Sequence, residues 1–308
     1  MGPVSADRSS FGTMETTPTY RSLNGVECGK ALRERIAKAA QDVQDRRGRP
    51  PHLAAVLVGD DPASQTYVAS KVKACEEVGF RSSLIRRSVE TTEEELLQLV
   101  EKLNNDPEVD GFIVQLPLPK HLNEERITLA IAPGKDVDGF HPQNLGRMML
   151  GLPGYLPATP SGIMELLKFY EIPTEGKHCV VVGRSNIVGT PMSILMSRNA
   201  DPGNCTVTIA HSRTKDLASI TRQADILIVA IGKANFITAD MVKDGAVVVD
   251  VGIHRMPDAT RKSGFRLCGD VDFDQVAPKS SWITPVPGGV GPMTVTSLML
   301  NTLKGAQA

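Results

Sequence analysis

Four short apolar runs in the second half of the chain constrain its fold more than any other feature: Cys179–Val182, Val207–Ala210, Ile226–Ile231 and Val247–Val251. Each has the length of one strand buried on both faces, and each gives way to residues that suit a strand end: Gly183, His211-Ser212, Gly232 or Gly252-Ile253. The first half repeats the theme. Leu32, Ile36, Ala40 and Val43 recur at helical spacing within residues 27–45, and Leu53–Val58 is a continuous apolar run. Ser64–Val78 reads as a helix, with Asp61-Pro62 as the turn before it and Ser64 as its N-cap. Thr92 and Glu95 form a capping box for a helix that carries Leu96, Val100 and Leu103 on one face. Phe112–Gln115 is the next strand, stopped by Pro117 and Pro119.

Strand, helix, strand, helix is the grammar of an α/β protein with a mostly parallel sheet. At roughly 150 residues per domain, 308 residues make two domains. The expected division has a leader or disordered extension over 1–20, an N-terminal α/β unit over 21–156 and a second α/β unit over 157–290. A closing helix lies within 291–308, with Pro292 near its first position. The Gly- and Pro-containing segment 136–156 is the passage between the units, and Ser161–Tyr170 opens the second one as a helix.

Charge and composition narrow the partners. Lys and Arg number 34 against 35 Asp and Glu, for a net charge of −1, so no basic excess asks for nucleic acid or an acidic membrane. Aromatic residues make up only 4%, too few for a base-stacking surface. The expected partner is a small molecule or a second copy of the chain. Five scattered cysteines offer no C-x-x-C and no zinc spacing, which predicts unpaired thiols in a reducing cytoplasm and no metal site. Residues 1–20 lack the apolar core of a signal peptide, and Ala6 stands where myristoylation wants Ser or Thr. The uncharged stretch 280–303 contains Pro285, Pro287 and Pro292, so it is a loop entering a helix rather than a membrane span.

Val180-Val-Val-Gly183-Arg-Ser-Asn-Ile-Val-Gly189-Thr-Pro191 joins a buried strand to a helix through glycines. That arrangement points backbone N–H groups and a helix dipole at a pyrophosphate. Ser185 replaces the middle glycine of the usual dinucleotide fingerprint, and a tight turn without a ligand is the alternative reading. The following strand ends in Ala210-His211-Ser212-Arg213, with no carboxylate for a ribose 2′-hydroxyl. Arg184, Ser212 and Arg213 suit a 2′-phosphate and favour NADP over NAD, unless they are solvated loop residues.

In the first unit, Tyr67 and Lys71 stand four apart and share a helix face. That spacing alone does not separate a site from a surface helix. Gln115 ends a buried strand, where parallel sheets bind ligands. Asp136 and Asp138 offer two carboxylates, too few for a hard cation, and an Asp-capped turn is the plain alternative. Thr284–Thr294 combines glycines and prolines into a rigid loop that lets backbone approach a ligand.

Together, Tyr67-Val-Ala-Ser-Lys71, Val114-Gln-Leu-Pro-Leu-Pro119, Asp136-Val-Asp-Gly-Phe140, Gly183–Gly189 and Pro287-Gly-Gly-Val-Gly-Pro-Met-Thr294 resemble the bifunctional methylenetetrahydrofolate dehydrogenase/methenyltetrahydrofolate cyclohydrolase family, from about Leu23 to Lys304. The resemblance implies an N-terminal folate and catalytic domain, onto which the last helix packs, and a Rossmann-like NADP domain. It implies oxidation of 5,10-methylenetetrahydrofolate by NADP⁺, hydrolysis of the product to 10-formyltetrahydrofolate, a homodimer, and a place in the one-carbon supply of purine, histidine and methionine synthesis. It assigns Lys71, Gln115 and Tyr67 to catalysis, with Tyr67 stacking on the folate and Gln115 orienting Lys71. Val114, Leu116, Asp138, Pro287, Gly288 and Gly289 join Tyr67 on the folate side, with Asp138 accepting from the pterin N3–H and 2-amino group. Gly183, Arg184, Ser185, Val188, Gly189, His211, Ser212, Arg213, Gly232 and Ile253 face the cofactor. A dehydrogenase with weak cyclohydrolase activity and a non-catalytic folate or dinucleotide binder are the rival readings.

Overall fold

The computed structural model describes residues 20–261 and 264–308. The expected leader over 1–20 therefore lies, but for Tyr20, outside the described residues.

Two parallel sheets organise the described residues. The first is built from β2 (His52–Val58), β3 (Arg81–Arg87) and β4 (Gly111–Val114), in the order β3-β2-β4. The second holds β1 (Arg21–Ser22), β5 (His178–Val182), β6 (Thr206–Ala210), β7 (Ile226–Val229), β8 (Val247–Asp250) and β11 (Trp282–Ile283), in the order β1-β11-β8-β7-β5-β6. All of its pairings are parallel. A separate antiparallel hairpin, β9 (His254–Pro257) and β10 (Phe265–Cys268), follows β8. In both sheets the order reverses at the central strand. This opens a crevice between β2 and β4 in the first and between β5 and β7 in the second, at the carboxyl ends where such sheets bind ligands.

Among the described residues, ten α-helices accompany the sheets: α1 (Gly25–Arg47), α2 (Pro62–Glu77), α3 (Glu93–Asn105), α4 (Glu124–Ala130), α5 (Pro142–Met149), α6 (Ala158–Phe169), α7 (Gly189–Ser197), α8 (Leu217–Thr221), α9 (Phe273–Val276) and α10 (Val290–Gln307). On one face of the first sheet, α1, α2 and α10 contribute Ile36, Val68, Cys75, Leu298 and Leu303 to a closed core. On the other face, α3 and α4 bury Leu96, Leu99, Val100 and Ile127. β5, β7 and β8 are buried on both faces, which explains their continuous apolar runs, whereas β6, expected as a buried run over Val207–Ala210, is an edge strand that leaves Ile209 40% exposed.

Local signals set the helix ends. Thr92 and Glu95 make the reciprocal capping box that starts α3. For α2 the cap is Asp61 rather than Ser64: its carboxylate accepts from the Ser64 N–H at 2.7 Å and Pro62 occupies the first turn. The proline explains the shift, because it costs no donor there and fixes the φ the helix needs. The helix foreseen over Ser161–Tyr170 begins at Ala158, and Pro292 is the third residue of α10. Segment 136–156 is not only a passage. It contains α5, and Asp136 bridges to Phe112 beside β4.

α1, α6 and α10 tie the two units together. Gly162 of α6 lies so close to α10 that a Cβ there would meet the Met293 carbonyl at 2.8 Å. Met293 belongs to the second unit's core, while Leu298, Met299 and Leu303 belong to the first. The last helix thus serves both units, and β1 carries Arg21 and Ser22 to the edge of the second sheet.

Candidate active site

Lys71 and Gln115 meet at the carboxyl end of the first sheet. Lys71 is buried on the inner face of α2, and its Nζ donates to Gln115 Oε1 at 3.0 Å. Gln115 follows β4. Its backbone N–H still donates to the Val56 carbonyl at 2.9 Å, and its Nε2 donates to the Leu116 carbonyl at 2.6 Å. With the amide nitrogen committed to the main chain, only Oε1 is left to face the ammonium. The ammonium keeps further protons for another partner.

Tyr67, one turn earlier, is 43% exposed, so its ring is free to meet a flat ligand. Asp138 lies within electrostatic reach of Lys71. Burial raises its carboxyl above the ordinary range and the Lys71 charge pulls it back. Among the described residues the Asp138 side chain accepts no hydrogen bond, whereas Asp136 is fully engaged. Asp136 accepts from the Gly139, Phe140 and His141 N–H groups and from Asn144 Nδ2. The two carboxylates thus divide into a turn cap and an open acceptor. Val114 and Leu116 pack into the core under α3, away from α2, so what they offer the strand end is main chain. The Pro287–Gly289 loop sits against the start of α1, where the Gly25 N–H donates to the Gly288 carbonyl at 2.8 Å.

At the second crevice, Gly183 has φ +130°, and a Cβ on it would lie 2.2 Å from the Ala230 carbonyl oxygen. A Cβ on Gly189 would lie 2.3 Å from the Gly183 carbonyl oxygen. Only glycines let β5, β7 and the start of α7 approach this closely, and the first turn of α7 is closed on itself, with the Thr190 N–H donating to the Ser185 carbonyl at 3.0 Å and Pro191 carrying no N–H. Ser185 Oγ accepts from the Val188 and Gly189 N–H groups at 3.2 and 3.3 Å. Arg184 follows β5 while His211, Ser212 and Arg213 follow its parallel neighbour β6, so both arginines leave adjacent strand ends. Both are exposed, and among the described residues neither guanidinium is in an ion pair. Gly232 and the exposed Ile253 sit beyond the ends of β7 and β8. Two unpaired cations beside a glycine cradle fit a dinucleotide phosphate.

Sequence reasoning missed three residues beside these sites. Ser64 is on the same face of α2, two turns before Lys71, and its buried hydroxyl has no partner among the described residues. Asp250 and Asp270 are buried carboxylates at the ends of β8 and β10. Burial pushes Asp250 up to about 6, against three backbone N–H donors that pull it down. The Asp at the end of Val247-Val-Val-Asp250 was the available signal, since a charge closing a fully buried strand has to be paired. All five cysteines are buried and unpaired, and burial pushes the Cys28 and Cys75 thiols up to about 12.

A lysine–amide pair at one sheet crevice and a glycine cradle at the next define a two-domain α/β enzyme of the dinucleotide-dependent kind. Residues 23–138 match the catalytic domain of tetrahydrofolate dehydrogenase/cyclohydrolase, and residues 157–308 match the NAD(P)-binding domain of the same family. The bifunctional protein FolD of Porphyromonas gingivalis is 62% identical over 290 residues, covering 94% of this chain and 97% of that one. The crystal structure of the bifunctional FolD dehydrogenase/cyclohydrolase from Campylobacter jejuni superposes with a TM-score of 0.87 at 49% identity, covering 94% and 99% of the two chains. The Trypanosoma brucei FolD, crystallised with NADP cofactor and inhibitor, superposes at 0.88 with 35% identity, covering 94% and 97%. The chain belongs to the tetrahydrofolate dehydrogenase/cyclohydrolase family.

Proposed function

We infer that this protein oxidises 5,10-methylenetetrahydrofolate to 5,10-methenyltetrahydrofolate with NADP⁺ and hydrolyses the product to 10-formyltetrahydrofolate. The observation that carries the reading is the 3.0 Å contact between the buried Lys71 ammonium and Gln115 beside the open carboxylate of Asp138. Family membership and the relatives' bifunctional descriptions support it.

NADP⁺ supplies the hydride acceptor. The residues of the chain supply alignment: Tyr67 stacks on the folate, Asp138 accepts hydrogen bonds from the pterin N3–H and 2-amino group, and the Pro287–Gly289 loop lines the folate side. Loss of hydride from the methylene carbon is driven by a substrate nitrogen lone pair, so this step asks chiefly for positioning. Water addition to the methenyl carbon asks for a proton to be held and returned, which is the work of Lys71 oriented by Gln115. Arg184, Ser212 and Arg213 take the 2′-phosphate. Gly183, Ser185, Val188, Gly189, His211, Gly232 and Ile253 surround the rest of the dinucleotide. The division into a folate unit over 21–156 and an NADP unit over 157–290, the homodimer and the cytoplasmic setting belong to the same reading. Unpaired buried thiols support a reducing compartment.

A coupled assay tests the function. With methylenetetrahydrofolate and NADP⁺, NADPH should accumulate while methenyltetrahydrofolate stays low. No NADPH would end the proposal, and stoichiometric build-up of methenyltetrahydrofolate would reduce it to a dehydrogenase alone.

A further inference from the structure

Asp270 lies outside both sites, yet it holds the loop that leaves β7. It is completely buried. Its Oδ2 accepts from the Ile231 and Gly232 N–H groups at 2.7 and 3.0 Å, and its Oδ1 accepts from the Lys233 N–H at 2.9 Å. His254 Nε2 donates to the same Oδ1 at 2.7 Å. The Asp270 carbonyl then receives the Phe236 and Ile237 N–H groups, so one residue fastens both ends of the segment 231–237.

Asp270 is itself held. Its N–H donates to Asp250 Oδ1 at 3.0 Å, and Asp250 also accepts from the Gly252 and Val271 N–H groups at 2.9 Å each. A Cβ on Gly252 would lie 2.5 Å from the Asp270 carboxylate, and one on Gly269 would lie 1.8 Å from Asp250 Oδ2. Only glycine fits at these two positions, so backbone packs directly against both carboxylates.

Three consecutive N–H groups aimed at one side-chain carboxylate give a loop a single shape. Without that acceptor they would be left without a partner in a crowded turn, at a cost no short loop recovers locally. The segment starts one residue after Ala230, whose carbonyl abuts Gly183. It therefore borders the dinucleotide crevice, with Gly232 just beyond the end of β7 and Ile253 just beyond the end of β8.

We propose that Asp270 is a positioning residue for the cofactor: it fixes the loop Ile231–Lys233 in the shape that receives the dinucleotide, with His254 and Asp250 locking its carboxylate. The proposal rests on the reading that this crevice holds NADP⁺. Asp270 touches no substrate, so its effect belongs to cofactor affinity and not to the lysine-dependent step.

The test compares Asp270→Asn with Arg184→Ala, reading the KM for NADP⁺ in the dehydrogenase assay and the cyclohydrolase rate on supplied methenyltetrahydrofolate. The amide must turn its NH₂ toward at least one N–H donor, and losing one hydrogen bond to a charged group corresponds to about tenfold or more in affinity. The expected result is a KM for NADP⁺ raised by about that factor, with the cyclohydrolase rate within about twofold of wild type. An unchanged KM in Asp270→Asn beside a raised one in Arg184→Ala would overturn the proposal and leave the cofactor site standing. Unchanged values in both variants would remove the cofactor reading and the proposal together. A parallel fall of both activities in a folded variant would make Asp270 merely structural. Should Asp270→Asn fail to fold, His254 decides. His254→Ala should raise the KM, and His254→Gln, which can still donate to Oδ1, should restore it at least in part. Wild-type values in His254→Ala overturn the proposal.

Discussion

Lys71 and Gln115 stand 44 residues apart in sequence and are joined by a 3.0 Å hydrogen bond across the carboxyl end of the first sheet. One comes from the helix after β2 and the other from the end of β4, the strand beside it. The contact exists because the sheet reverses its order between those strands. The Leu116 carbonyl fixes which end of the Gln115 amide faces the lysine, so the ammonium is held by an acceptor that cannot take its charge.

That contact predicts a separation of the two activities. Lys71→Gln keeps a long side chain with a hydrogen-bonding end but cannot exchange a proton near neutral pH. A positioned acid–base group contributes ~10²–10⁴-fold, so cyclohydrolase activity should fall by about that factor. Hydride transfer should persist in part, and methenyltetrahydrofolate should accumulate during turnover. Absorbance of that intermediate is the readout. Equal loss of both activities with folate binding intact would refute the division of labour.

Cofactor choice should rest on the two arginines at the ends of β5 and β6. Arg184 is exposed and has no carboxylate partner among the described residues, so its guanidinium is available to a phosphate. A hydrogen bond to a charged group is worth about 1.5–3 kcal/mol. Arg184→Ala should raise the KM for NADP⁺ by tenfold or more, on the order of one decade per 1.4 kcal/mol, while changing that for NAD⁺ much less. Steady-state kinetics with both cofactors measure it, and equal efficiency of the wild type with each would count against the role of Arg184.

How much of this was legible in the sequence follows from burial. β2, β5, β7 and β8 read as strands because both faces are covered and nearly every residue is apolar. β3, Arg-Ser-Ser-Leu-Ile-Arg-Arg, is an edge strand with mostly exposed side chains and carries no such run. Asp61 and Ser64 are both good caps, and the choice between them turned on Pro62. Tyr67 and Lys71 at four-residue spacing could not reveal that the lysine is buried, since its partner is supplied by a different strand. Arg184 and Arg213 were visible singly, and their adjacency required the β5–β6 pairing. Asp250 was signalled by the buried strand it closes, but its pairing with Asp270 was not, because every donor the two satisfy except Gly252 is distant in sequence or belongs to the other member.

Folate recognition is predicted to depend on Asp138. Its half-buried carboxylate accepts no hydrogen bond among the described residues, so both oxygens are available to donors on a ligand. Asp138→Asn keeps the size but presents an NH₂ to the pterin donors. Both activities should fall together, by about tenfold or more, because both use the same bound pterin. Antifolate binding by calorimetry is the direct check, and wild-type affinity would exclude Asp138 from the site.

Stability is predicted to hinge on a charge cluster at the opposite end of the same sheet. The Asp110 side chain, only 3% exposed, receives a two-pronged contact from Arg49, Nη1 to Oδ2 at 2.8 Å and Nη2 to Oδ1 at 2.9 Å. Arg47 Nη1 adds a contact to Oδ1 at 3.0 Å, and the His52 N–H donates to Oδ2 at 2.8 Å. One carboxylate thereby pins the end of α1 to the starts of β2 and β4. Burial by itself would raise the Asp110 carboxyl, but the Arg49 and His52 hydrogen bonds and the two arginine charges outweigh it and hold it below the ordinary range. Because the folded-state pKa is depressed, the stabilisation is fully present above the unfolded value, about 3.9, and is lost as pH falls through the lower folded value. Asp110→Asn leaves the guanidinium of Arg49 facing a neutral amide, and breaking a buried ion pair costs roughly 3–5 kcal/mol. Urea unfolding at pH 7 should show a loss of about that size, and the gap between wild type and variant should narrow as the pH drops below about 4. Gln115 and Lys71 lie at the far end of β4, so the rates of the folded variant at pH 7 should match those of the wild type. A gap that stayed constant down to low pH would mean that packing, and not the charge of Asp110, holds this corner together.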